Sequence, residues 1–286
     1  MYLEIILKLA HTIKEAREEI SRARCEDKVI GFVPTMGALH EGHLTLVRRA
    51  REQCDYVCIS IFVNPAQFGP NEDLNKYPRT LESDIEKCKE AGVDLIFVPS
   101  PAEMYPEGFN SWVKVKGLTE VLEGQIRPGH FRGVTTVCAK LFNIIDPDFA
   151  FFGTKDYQQL KVIEKMVRDL NMRLKIVSVE TVRESDGLAM SSRNAYLSSD
   201  ERHAALILSK SLQMAKEAFS SGERNAETIQ ELVENFIKAE QSANIDYIAV
   251  VDAETLISID KIIKPAVVLL AVRIGKTRLI DNTLLQ

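Results

Sequence analysis

The sequence predicts an α/β protein in two parts, a parallel sheet covered by helices and then a smaller α+β domain. Three observations carry that prediction. Between residue 28 and about residue 180, short β-rich runs alternate with segments of helical periodicity, the pattern of parallel strands joined by helices. The strand runs are continuously apolar, as expected of strands buried on both faces. After "RESDGLAMSSRN" the texture changes to two helical segments followed by two strand candidates with no helix between them.

The elements follow in order. "MYLEIILKLAHTIKEAREEI" looks at first like a signal peptide, but Glu4 and Lys8 interrupt the apolar run and no small-residue cleavage site follows. It reads as a short strand and an amphipathic helix. Next come "KVIGFV" (28–33), a helix over about Gly42–Gln53, "YVCISIFV" (56–63), a helix over about Thr80–Ala91 and "VDLIFV" (93–98). A less regular part from Pro101 to His130 precedes a helix over about Val134–Ile145, "FAFFG" (149–153), a helix over about Asp156–Leu170 and "LKIVSV" (174–179). About five parallel strands result. Beyond them, helices are expected over about Ser199–Phe219 and Ala226–Glu240, with strands at "IDYIAVVD" and "AVVLLAVRIG". The second domain starts near Glu184, giving domains over 1–183 and 184–286.

A chain of 286 residues with 45% hydrophobic content can build one large core or two ordinary ones. The formal net charge of −5 and pI near 5.7 give no basic field of the kind that drives non-specific nucleic-acid binding. No window approaches the ~20 apolar residues that a membrane span needs. Cys25, Cys54, Cys58, Cys88 and Cys138 are odd in number, scattered and mostly inside apolar segments, the usage of reduced thiols in a cytoplasmic protein. Cys54 and Cys58 lack the CxxC spacing, so no structural zinc site is expected.

In parallel sheets ligands bind at the carboxyl ends of the strands. That rule selects Pro34–His43, Asn64–Pro70, Pro99–Tyr105 and Gly153–Gln159. Within "PTMGALHEGH", His40 and His43 do not form the metalloprotease pattern H-E-x-x-H, because only Gly42 separates Glu41 from His43. A phosphate role fits better: the pair opens a helix, where backbone N–H groups are free, and i, i+3 positions share one face. "GTKDYQQL" repeats the arrangement, with Gly153 allowing close approach of a ligand. Lys155 there is poorly placed for the helix dipole unless an anion binds. "GLAMSSRN" offers Ser191, Ser192 and Arg193, a set able to wrap phosphate oxygens or, alternatively, a polar linker whose serines cap the next helix. Asn64 and Gln67 are amides suited to orienting hydroxyl and carboxylate groups. "RPGHFRGV" adds Arg127, His130 and Arg132 in a glycine-punctuated loop, either an anion contact or a solvated bend.

Together, "VPTMGALHEGH", "SIFVNPAQFGPNEDLNKYPRT", "RPGHFRGV", "KLFNII", "FFGTKDYQQL", "DGLAMSSRN" and "RLIDN" resemble the pantothenate synthetase (pantoate–beta-alanine ligase) family of the HIGH-motif nucleotidyltransferase superfamily. The resemblance spans nearly the whole chain in the family's order. It implies a Rossmann-like N-terminal domain that holds the active site and a smaller α+β C-terminal domain that covers it. It also implies a cytoplasmic homodimer that uses pantoate, beta-alanine and ATP with Mg2+, through pantoyl adenylate, to give pantothenate, AMP and pyrophosphate. By resemblance, Met36, Gly37, Ala38, Leu39, His40, Glu41, Gly42 and His43 form the first ATP-binding segment, with His43 at the position assigned as proton donor. Gly153, Thr154, Lys155, Asp156, Val182, Met190, Ser191, Ser192 and Arg193 match the other ATP-binding positions. Gln67 matches the glutamine shared by pantoate and beta-alanine, Gln159 a second pantoate contact and Asn64 a neighbouring polar position. Two departures are Thr154, where an acidic residue or glutamine is usual, and Arg273, where an aromatic is common.

The chemistry so implied brings a carboxylate toward a phosphate. Lys155, Ser191, Ser192, Arg193 and magnesium would screen that repulsion, while His40 and His43 would donate to phosphate oxygens as charge builds. Whether His43 transfers a proton or only stabilises charge is not decided by the residues. The magnesium ligands are likewise unassigned.

Overall fold

The computed structural model describes residues 7–70 and 72–286. The part of the expected first strand that falls on residues 1–6 lies outside the described residues. The chain packs as two compact units, one taking it up to Thr154 together with Gln159–Glu180, the other taking Lys155–Gln158 and Thr181–Gln286.

In the first unit, the described residues form six strands: β1 (Lys8–Ala10), β2 (Ile30–Thr35), β3 (Tyr56–Ile61), β4 (Leu95–Phe97), β5 (Phe149–Gly153) and β6 (Lys175–Val179). Their spatial order is β1-β4-β3-β2-β5-β6 and every pairing is parallel. The strand beyond the five expected in this sheet is β1, part of the short strand read ahead of the first helix. β2, β3 and β4 are buried as expected, with Phe32, Ile59, Leu95, Ile96 and Phe97 at the centre. β6 departs from that expectation: it lies at the sheet edge and carries no fully buried residue.

The helices of this unit are α1 (Ile13–Cys25), α2 (Glu41–Gln53), α3 (Leu81–Glu90), α4 (Pro101–Met104), α5 (Glu123–Ile126), α6 (His130–Ile145) and α7 (Tyr157–Asp169), whose first two residues belong to the second unit. α1 opens with a capping box, in which Thr12 Oγ1 accepts from Glu15 N and Glu15 Oε2 accepts from Thr12 N. α6 begins four residues before the expected Val134, because Gly133 does not break it. A Cβ at Gly133 would lie 2.2 Å from Ala66 O and 2.6 Å from Gln67 N, so glycine lets the helix sit against that backbone. From β2 the chain builds outward through β3 and β4 on one side and through β5 and β6 on the other. The order therefore reverses between β2 and β5, and a ligand crevice belongs at their carboxyl ends.

The second unit contains α8 (Ser199–Ser220), α9 (Ala226–Lys238) and the antiparallel sheet β7 (Ala243–Asp252), β8 (Ala266–Ile274) and β9 (Thr277–Leu285), in that order. Leu208 and Leu212 of α8, Ile229 and Val233 of α9, and Val268, Leu270 and Val272 of β8 share one core. The unexpected element is β9. Its run "TRLIDNTLL" carries polar residues that mask a strand pattern, yet Asp281 and Asn282 are buried at 2% and 6% exposure.

Candidate active site

At the end of β2 the chain turns sharply. Thr35 Oγ1 donates to Ser60 O (2.7 Å) and accepts from Gly37 N (3.2 Å). Gly37 and Ala38 then take φ of +81° and +49°. Asp84 of α3, fully buried, accepts from Ala38 N (2.9 Å), Leu39 N (2.8 Å) and Thr80 Oγ1 (3.2 Å). Lys87 Nζ donates to Leu39 O at 2.7 Å. A single turn of α3 thus clamps the segment from Met36 to His40. Sequence reasoning missed Asp84, although a signal was present: it shares the apolar face of α3 with Leu81, Ile85 and Cys88.

That clamp delivers His40 as the extended N-cap residue of α2, with His43 one turn on. Glu41, between them, pairs with Arg48 at the surface. His40 N donates to His43 Nδ1 at 3.3 Å, and the two rings lie 4.0 Å apart. A backbone N–H can only donate, so Nδ1 of a neutral His43 is the acceptor and its proton sits on Nε2. Nε2 of that tautomer can only donate, and it stands on the first turn of α2.

After β3, Asn64 and Gln67 are buried at 1% and 9% exposure. Asn64 Nδ2 donates to Gln67 Oε1 (3.0 Å) and Gly133 O (3.2 Å), while Asn64 Oδ1 accepts from Ala66 N (3.2 Å) and Tyr105 OH (2.8 Å). Gln67 Nε2 donates to Met36 Sδ at 3.3 Å. Met36, Asn64 and Gln67 are therefore brought together, with Tyr105 behind them, a residue the strand-end rule reached without giving it a role. Burial pushes the Tyr105 phenol well up, so it remains a donor.

The Arg127–Arg132 loop is exposed at Pro128, Gly129 and Arg132, as a solvated bend would be, while Arg127 and His130 turn to partners within the protein. Arg127 forms a fork with Glu72 (Nε to Oε1 2.8 Å, Nη2 to Oε2 2.6 Å). Burial works to raise the Glu72 carboxyl, but the Arg127 hydrogen bonds and charge outweigh it and the net shift is downward. His130 is buried, and Arg132 lies over the Trp112 ring at 4.6 Å.

Gly153 closes β5, Thr154 opens the 3₁₀ turn that follows it, and Gln159 is half-buried in α7. Lys155 and Asp156 belong to the second unit, where Lys155 O accepts from Asn282 Nδ2 at 2.8 Å and Lys155 Nζ stands 3.7 Å from Asp156 Oδ1. In the same unit Arg183 makes a fork with Asp281 (2.7 and 2.9 Å) and donates to Gly187 O (3.1 Å). Val182 O accepts from Met190 N at 3.0 Å. β9 thus supports both Lys155 and the hairpin that leads to Ser191, Ser192 and Arg193. Ser191 Oγ accepts from Arg193 N (3.2 Å), capping a short 3₁₀ turn over Ser192–Tyr196, whereas α8, the next helix, is capped by Ser198 rather than by either serine of this loop.

Among the described residues no group of three or more His, Cys, Asp and Glu side chains could hold a metal ion. No helix formed by them is long and apolar enough to cross a membrane. Each unit by itself offers donors suited to phosphate oxygens: imidazoles and helix-start N–H groups in the first, and lysine, hydroxyls and arginine in the second. The buried amide pair is suited to a small polar carboxylate.

Comparison with known proteins agrees with this chemistry. The family model described as pantoate–beta-alanine ligase matches residues 8–284. The pantothenate synthetase of Pelotomaculum thermopropionicum is 57% identical over 97% of this chain and 98% of that protein. That of Carboxydothermus hydrogenoformans is 56% identical over 96% and 97%. The crystal structure of pantothenate synthetase from Thermus thermophilus superposes with a TM-score of 0.93 at 46% identity, covering 97% of this chain and 99% of that one. A pantoate–beta-alanine ligase structure from Francisella tularensis, complexed with beta-gamma ATP and beta-alanine, gives 0.81 at 36% identity over 98% of both. The chain belongs to the pantoate–beta-alanine ligase family.

Proposed function

We propose that this ligase works by two displacements. In the first, a carboxylate oxygen of pantoate attacks the α-phosphorus of ATP, the bond to pyrophosphate breaks, and pantoyl adenylate forms. In the second, the neutral amine of beta-alanine attacks the acyl carbon, the bond to AMP breaks, and the nitrogen gives up its proton to complete the amide of pantothenate. The observation that carries this reading is the convergence of Met36, Asn64 and Gln67 on the loop that ends at His40 and His43. An amide site for a small acid is thereby built onto a helix start suited to phosphate.

Gln67 would orient pantoate and then beta-alanine, with Asn64 beside it and Gln159 as a second pantoate contact; positioning of this kind can supply much of the rate. Met36–His43, Gly153–Asp156, Val182 and Met190–Arg193 would hold ATP, with Lys155, Ser191, Ser192 and Arg193 taking up the charge of the departing pyrophosphate. With Nδ1 engaged by the His40 N–H, His43 would act by donating a hydrogen bond from Nε2 to the developing charge. Loss of such a donor typically costs ~10²–10³ in rate. Magnesium would accompany ATP as part of the MgATP substrate, where it would screen the phosphate charge. The Francisella structure with beta-gamma ATP and beta-alanine supports the choice of substrates. We further propose a homodimer located in the cytoplasm; the buried free thiols Cys54, Cys58, Cys88 and Cys138 support a reducing compartment.

Product analysis tests the reading. With pantoate, beta-alanine and MgATP, AMP and pyrophosphate should appear in equal amounts with pantothenate. ADP and free phosphate would replace the adenylate by an acyl phosphate.

A further inference from the structure

We infer that His130, as a neutral imidazole carrying its proton on Nδ1, is a positioning residue for Gln67. The inference rests on the proposed assignment of Gln67 to pantoate. His130 opens α6 at 8% exposure, with Nδ1 2.8 Å from Gln67 O and Nε2 3.1 Å from Arg127 Nη1. A carbonyl oxygen can only accept and a guanidinium can only donate. Both ring nitrogens therefore have assigned roles: Nδ1 donates and Nε2 accepts.

Protonation would bring an Nε2–H against the Arg127 N–H and one positive charge against another. Arg127 cannot yield, because Glu72 holds it in a fork and Glu123 lies 3.9 Å away. Burial first, and the Arg127 charge second, push the imidazole pKa down to about 4. On the adjoining turn, Gly133 brings the α6 backbone against Ala66 and Gln67, and Gly133 O accepts from Asn64 Nδ2. The Gln67 backbone is thus held by His130, and its side chain by Asn64 and Met36. Substrate affinity at Gln67 then depends on an imidazole that need not touch substrate.

Two isosteres separate positioning from space filling. Asparagine places an amide nitrogen where Nδ1 stands, whereas glutamine reaches the position of Nε2. His130→Asn should keep the pantoate KM within about threefold of wild type, and His130→Gln should raise it about tenfold or more, with the ATP KM within about twofold in both. Equal effects of the two variants on the pantoate KM, or no effect of His130→Gln, overturn the inference. Gln67→Ala separates the two claims. If it leaves the pantoate KM unchanged, the Gln67 assignment fails. If it raises that KM and His130→Gln does not, only the present inference fails. The 15N spectrum of histidine-labelled wild-type protein reads the tautomer without any substitution: a His130 protonated at Nδ1 and bare at Nε2 from pH 7 to pH 5 is expected. The opposite tautomer or an imidazolium in that range contradicts the inference.

Discussion

His43 and His130 are held as opposite tautomers, and in each case a backbone atom makes the choice. The His40 N–H donates to Nδ1 of His43, while the Gln67 carbonyl accepts from Nδ1 of His130. The first arrangement makes Nδ1 of His43 an acceptor; the second leaves Nε2 of His130 as an acceptor that Arg127 fills. Asp84 applies the same logic with a carboxylate, its two oxygens satisfied by two backbone N–H groups and a hydroxyl, which makes its burial tolerable. The His130 environment has a measurable consequence for stability. The folded protein keeps this imidazole free of a proton down to about pH 4, whereas in the unfolded chain it binds one near pH 6.5. Between those values the unfolded state holds the extra proton. Stability present above pH 6.5 is therefore lost as the pH falls toward 4, at ~1.4 kcal/mol per unit and roughly 3 kcal/mol in all. Glu72, whose carboxyl is also held low, acts in the same direction and is present in either variant. Denaturant titrations at pH 7 and pH 4.5 should show a smaller loss for His130→Asn than for wild type; equal losses would contradict the assignment.

At the scale of elements, α6 is one piece that sequence and structure describe differently. Its glycines read as punctuation in "RPGHFRGV", but Gly133 lies within the helix because the 3₁₀ turn at Pro65–Gln67 leaves no room for a Cβ. Gly133→Ala should push α6 off that turn, destabilising the protein by about 1–3 kcal/mol and raising the pantoate KM far more than the ATP KM. Thermal melts with steady-state kinetics check this, and an unchanged pantoate KM would count against it. The strand ends were legible because carboxyl-end geometry follows from parallel topology alone, and that topology shows in continuous apolar runs. His40, His43, Asn64, Gln67 and Lys155 are all found where the rule put them. Asp84 and Tyr105 were not given roles because their partners lie 46 and 41 residues away, beyond any local periodicity. β9 was hidden for a related reason. Asp281 and Asn282 look like surface residues in sequence, and only the forked pair with Arg183 and the bond to Lys155 O explain why they are buried in a strand.

Considered as a whole, the molecule distributes its chemistry over two units with separate cores. The parallel-sheet unit carries the histidine pair and the buried amides, and the unit with the antiparallel sheet carries Lys155 and the loop of Ser191, Ser192 and Arg193. Under the proposed function the protein first makes an acyl adenylate and only then meets its amine. That order is the central claim, and isotope exchange tests it most directly. Incubated with ATP and labelled pyrophosphate, the protein should move label into ATP when pantoate is supplied, without beta-alanine. Label appearing only when beta-alanine is also present, or no label with pantoate, would contradict the account.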